Sequence, residues 1–266
     1  MQPTPRKKIK LSKISAMHYF KLVFRSLLFL SVLGMYIYKR VMGNGELFRD
    51  SEHLPLVLWL IWLLFVVEMG LRFMPSPMES MGCQKQFSRN YRPTGRDGKL
   101  DSWKSTLAVT VAWLLLNGAI GALYFVHVID QGILMLVALA YSVCDMICIL
   151  FFCPFQTWFM KNKCCGSCRI YNWDYAMMFT PLVFIPHVYS WSLLGIALVL
   201  LFSWELAVRR HPERFLEKTN ASLACANCQE KLCQHKRQLR HFLRQNRQLF
   251  SSLEVLRKEP LKGEES

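Results

Sequence analysis

The sequence predicts an all-α integral membrane protein: a bundle of about six transmembrane helices with a cytosolic C-terminal helix, amphipathic or coiled-coil in character. Three observations carry this. Long apolar runs recur through a chain that is 53% hydrophobic. The basic residues gather in alternate intervals between those runs. The last segment carries a heptad. A net charge of +15 on a soluble chain would point to nucleic acid. Here the bases flank apolar runs, which is the membrane pattern, so the expected partner is the lipid bilayer and no nucleic acid.

A bilayer core takes about 20 apolar helical residues. Spans are expected near 22–38, containing Arg25; 54–74, containing Glu68; and 106–127, with Asn117 in the middle. The next run near 133–153, containing Asp145; 174–189, with Pro181 and Pro186; and 191–208, which ends past Trp204 and Glu205. The first run follows a basic tail and has no small-residue cleavage site after it, so it reads as a retained helix. Spans five and six are nearly contiguous, and five spans plus a re-entrant piece is the alternative topology. Residues 1–21 form a basic tail, 22–208 the membrane domain, and 209–266 a Cys-rich segment and helical tail.

Loop charge sets the orientation. With the N-terminus inside, residues 1–21, 72–104, 154–173 and everything from Arg209 onward hold 29 of the 33 Lys and Arg. The outside segments hold only Lys39, Arg40 and Arg49. Both termini are therefore expected in the cytosol. The Asn220-Ala221-Ser222 sequon then faces the cytosol and goes unused. The 75–104 loop reads as irregular chain or a short interfacial helix.

All ten cysteines fall on the cytosolic side or within span four. The cytosol disfavours structural disulfides, so metal or redox use is the functional expectation. Cys225-Ala-Asn-Cys228, followed by Cys233 and His235, offers three sulfurs and an imidazole, a zinc-type donor set. Cys165 and Cys168 form a second Cys-x2-Cys pair, with Gly166 allowing a tight turn. Joined to Cys225 and Cys228, they would make a four-cysteine zinc site. An iron–sulfur cluster is the alternative cofactor, because Cys153-Pro154 sits near Cys148, Cys164, Cys165 and Cys168, although the spacing fits no ferredoxin run. The bland reading of Cys83, Cys144 and Cys148 is a small apolar residue.

Charges inside spans are costly and mark candidate sites. Arg25, Glu68, Asp145 and Glu205 all fall in the cytosolic halves of their helices, where they could form a polar network or line a vestibule. In the bland alternative Arg25 and Glu205 reach the interface and Glu68 pairs with Arg72 at i,i+4. Asn117 reads as helix–helix glue. Trp173 and Tyr175 read as interfacial aromatics, and Asp174 as a helix cap.

From Leu232 the tail spaces Leu232, His235, Leu239, Phe242, Asn246, Leu249, Leu253 and Leu256 three and four apart. Asn246 at a core position could fix a dimer, so the tail is a candidate homo-oligomer contact. Its polar side, Lys236 to Arg247, also suits an anionic leaflet. No Walker, nucleophile-elbow, HExxH or dinucleotide motif is present, and no catalytic residue is assigned. The leading expectation is a polytopic membrane protein with a cytosolic zinc or iron–sulfur site in a redox or assembly role. A small transporter or channel using the acidic residues of the spans is the second, and an adaptor with a zinc clasp the third.

Overall fold

The computed structural model describes residues 13–42, 56–75, 82–98, 103–162 and 165–227, together with Cys233 and Lys236. Every regular element among them is helical, and one isolated antiparallel bridge joins Pro93 to Asn220. Four helices are long and apolar enough to cross a bilayer: α1 (Lys13–Val41), α4 (Trp103–Phe125), α5 (Gln131–Leu150) and α7 (Val188–Arg210). Two short helices lie between: α2 (Leu56–Leu71) and α3 (Gly82–Gln86). A third, α6 (Asp174–Phe179), precedes α7. At about 1.5 Å per residue, α2 spans about 24 Å, short of a hydrocarbon core of about 30 Å.

The fifth expected span is not one helix. α6 has six residues and runs into a 3-10 stretch, Thr180–Phe184. Pro181 is the second residue of that stretch, and its missing N–H removes one α-helical bond. Pro186 ends it before α7 begins. This broken backbone is sheltered by protein: Tyr175, Met178, Phe179, Leu182 and Ile185 are all buried. Irregular backbone at membrane depth is tolerated in such a setting. The segment runs antiparallel to α7. Trp173 Nε1 donates to Glu205, and Trp191 Nε1 to the carbonyl of Val183. Those 14 positions of α7 correspond to about 21 Å.

α5 is the hub, with half of its apolar window buried. α1 packs against it antiparallel: Tyr36 donates to Asp130 at 2.9 Å, Arg25 to the carbonyl of Ser142 at 3.1 Å, and Tyr19 meets Phe151 edge-on. α2 runs parallel to α7, with Trp59 against Tyr189 and Trp62 Nε1 donating to Ser192 at 2.8 Å. Helices in lipid gain little from hydrophobicity against one another and rely on close packing and hydrogen bonds. Two glycines make that packing possible. A Cβ on Gly121 would collide with the ring of Phe184, and one on Gly132 would sit 2.6 Å from Tyr36. The outer faces stay apolar and exposed, as at Leu27, Leu63, Leu114 and Phe202.

These pairings bring the N-terminal ends of α1, α4 and α6 together with the C-terminal ends of α2, α5 and α7. The same end carries the 82–98 segment, which holds the short helix α3 and a 3-10 turn followed by irregular chain. Asn220 ties this segment to the chain after α7. It is fully buried, and its amide donates to the carbonyls of Lys85 and Arg214 at 2.9 and 2.8 Å. The sequon's amide thus has no access to solvent in this structure.

Candidate functional site

Two ion-paired clusters lie at that end, and only one contains more than one of the expected span charges. Arg25 is 3% exposed. It donates to Glu68 at 2.7 Å, to Asp145 at 3.2 Å and to Ser142, and lies over the ring of Phe65. Glu68 also takes Lys21 at 3.2 Å and the Tyr175 hydroxyl at 3.1 Å. Arg72, one turn beyond Glu68, does not pair with it. It reaches across to Asp174 at 2.8 Å and covers the rings of Tyr171 and Tyr175. Lys21, Arg25 and Arg72 therefore face Glu68, Asp145 and Asp174, a formally neutral set. An isolated charge here would cost several kcal/mol, about the scale that paired geometry offsets.

Glu205 stands apart. Arg169 grips both of its oxygens, at 2.6 and 2.5 Å, and Trp173 donates at 2.7 Å. This is a two-pronged clasp between the chain before α6 and the end of α7. It is one fifth exposed at each partner. Arg25 is thus buried among its partners, while Glu205 is partly exposed.

Several expectations change here. Asp174 is the first residue of α6 and makes no side-chain cap; it is spent on Arg72. Tyr175 is buried rather than interfacial. Asn117 is buried but donates to the Trp113 carbonyl of its own helix, and its Oδ1 has no partner among the described residues, so it does not glue helices together. Lys236, expected on the polar side of the tail helix, is buried, with Nζ 3.0 Å from the carbonyl of Cys148.

Between α5, α6 and the flanking loops lies a cavity of about 140 Å³. Its wall is largely aromatic and sulfur-bearing: Trp113, Tyr141, Phe155, Tyr171, Met177 and Met178 line it. Asp145 and Asp174 bring the ion network to that wall. Asp174 is 8% exposed at its side chain; Oδ2 is held by Arg72, whereas Oδ1 is buried without a hydrogen-bond partner among the described residues. A buried carboxylate oxygen left unmatched is costly, and Asp174 is among the residues that line the cavity.

Four thiols also line the cavity: Cys144, Cys148, Cys153 and Cys168. Of the expected metal set, Cys168 is buried there, while Cys225 and Cys233 are exposed. The side chain of Cys165, and Cys228 and His235 entirely, lie outside the described residues. Among the described residues no group of three or more His, Cys, Asp or Glu is arranged to hold a metal ion. Cys153 lies past the end of α5. The Cys148 thiol hydrogen-bonds to it, the amides of Gln156 and Phe155 donate to its sulfur, and the Lys236 ammonium is close. Together these hold its thiol below the ordinary value, against burial, which acts the other way.

Sequence reasoning missed Lys21, Arg72 and Asp174 as members of the network. The available signal was charge at span ends: Arg72 closes α2 and Asp174 opens α6, so any bundle joining those ends sets them side by side. Compared with family models, with curated proteins and with solved structures, the chain matches none.

Proposed function

We propose that this protein is a small carrier or channel of the membrane, and that the cavity at Asp145 and Asp174 is its substrate site. The observation that carries this is Asp174, which lines a cavity walled largely by aromatic rings and sulfur and keeps one buried carboxylate oxygen without a partner among the described residues. Binding sites have this composition: an apolar body with few placed polar groups. The neutral ion set needs no counter-charge, but the free oxygen calls for a hydrogen-bond donor. A cavity of about 150 Å³ holds a benzene-sized ring, and rings of Trp and Tyr favour a nearby cation. The substrate class that fits is an aromatic amine. Antiparallel α1 and α5 with parallel α2 and α7 support a chain that passes back and forth six times, its fifth pass broken, with both termini on one side. The loop charges support that side being the cytosol. A broken pass beside a binding site is a recurring carrier feature. Uptake of labelled phenethylamine into proteoliposomes tests the reading. It should exceed that of protein-free vesicles and fall to their level in Asp174→Asn; uptake equal to that of protein-free vesicles overturns it.

A second reading is the cysteine metal site. It is supported by the Cys-x2-Cys pairs at 165–168 and 225–228, which belong to segments at the same end of the bundle. Zinc would clasp those segments, or an iron–sulfur cluster would serve redox chemistry. Metal analysis with an absorption spectrum separates the two: colourless stoichiometric zinc means a clasp, visible charge-transfer bands mean a cluster, and metal-free protein from anaerobic purification overturns both.

A further inference from the structure

Cys148 and Cys153 form a pair that the carrier reading does not use. α5 ends at Leu150, with Phe151 as its C-cap. Pro154 then opens a single π-type turn, Phe155–Phe159. This break folds the chain back so that the two thiols, five residues apart, lie on the wall of one cavity and interact with each other. Both are partly exposed and both border the cavity. The amide of Gln156 donates to the Cys153 sulfur at 3.4 Å. Lys236 is anchored on the carbonyl of Cys148, which keeps its positive charge beside the pair. Amide donors and a nearby ammonium favour a thiolate, the reactive form of cysteine. Cys144, one turn earlier on α5, is exposed and shares none of these donors among the described residues.

We propose that Cys148 and Cys153 are a thiol–disulfide exchange site whose substrates are small organic disulfides. The Cys153 thiolate attacks one sulfur of R–S–S–R. A Cys153–S–S–R bond forms, the R–S–S–R bond breaks, and RS⁻ leaves and takes up a proton from water. The Cys148 thiol then attacks the Cys153 sulfur. The Cys148–Cys153 disulfide forms, the second RS⁻ leaves, and it takes the proton that Cys148 gives up. The two cysteines are oxidised by two electrons and one small disulfide is reduced to two thiols. Transient disulfides of this kind are the ones compatible with a reducing compartment.

The test uses the full chain in detergent, reduced, freed of reductant and treated with oxidised glutathione, followed by peptide mapping. The expected product is a Cys148–Cys153 bridge, formed about tenfold faster than glutathione adds to Cys144 or Cys225. In Cys148→Ser, glutathione should stay attached at Cys153, because the resolving thiol is gone. Wild-type mapping alone decides the matter whether or not that variant folds. Glutathione spread over Cys144 and Cys225 with no bridge, or retained on Cys153 beside a free Cys148, overturns the proposal.

Discussion

The two ends of the helical bundle are held by different chemistry. At one end Arg25, Glu68, Asp145, Arg72 and Asp174 join α1, α2, α5 and α6 through charged hydrogen bonds. At the other, aromatic rings close onto glycines: Tyr36 onto Gly132 and Phe184 onto Gly121. Among the described residues the only ion pair at this end, Arg40 with Asp130 at 3.6 Å, is largely solvent-exposed at the arginine, and Tyr36 also donates to Asp130. Among the described residues the charged end leaves Arg25 Nε and one oxygen of Asp174 unmatched, and Asp174 lines a cavity. The lesson is that a buried charge alone is poor evidence of a site; the pointer is the atom that the network leaves unpaired.

The contrast can be broken at its strongest point first. Arg25→Met strands Asp145 and leaves Glu68 only Lys21 and Tyr175, and removing one partner of a buried set costs about 3–5 kcal/mol. Thermal unfolding in detergent should show a large fall, partly restored by adding Glu68→Gln and Asp145→Asn. If Arg25→Met melts like wild type, the network does not hold the bundle. At the opposite end, Gly121→Ala should cost about 1–3 kcal/mol through the clash with Phe184, and Phe184→Ala in the same chain should relieve it. A Gly121→Ala protein as stable as wild type would show that α4 does not approach the 3-10 stretch closely. The smallest effect is expected at the separate clasp. Arg169 and Glu205 are partly open to solvent, so Glu205→Gln should lower stability by about 1 kcal/mol and leave amine uptake unchanged. Loss of uptake in Glu205→Gln would instead join the clasp to the substrate path.

Much of this architecture was legible in the chain. Hydropathy located α1, α4, α5 and α7 because each is a long uninterrupted apolar run. Arg25, Glu68 and Asp145 stood out because charge in such a run demands a partner. Their mutual pairing was not readable, since it depends on α1 and α2 both packing near α5 and α6. Pro181 and Pro186 announced a break in the segment before α7, yet a hydropathy window averages across it. Asp174 was misread because Asp at a helix start usually caps it, whereas here a cation from another helix competes for the carboxylate. The cavity thiols were obscured for a similar reason. The regular Cys-x2-Cys spacings drew attention, while Cys148 and Cys153 meet only because the helix ends between them. The heptad with Asn246 and the proposed oligomer contact lie outside the described residues.

The most direct measurement is calorimetric binding of phenethylamine to the purified protein and to Asp174→Asn and Asp174→Glu. The asparagine keeps the volume but turns half of the acceptor pair into a donor. The glutamate keeps the charge. The expected result is binding by wild type, at least a tenfold loss in Asp174→Asn, about 1.4 kcal/mol, and partial recovery in Asp174→Glu, with all three melting within a few degrees of one another. Equal affinity in wild type and Asp174→Asn would contradict the assignment of Asp174 Oδ1 as the ligand's partner.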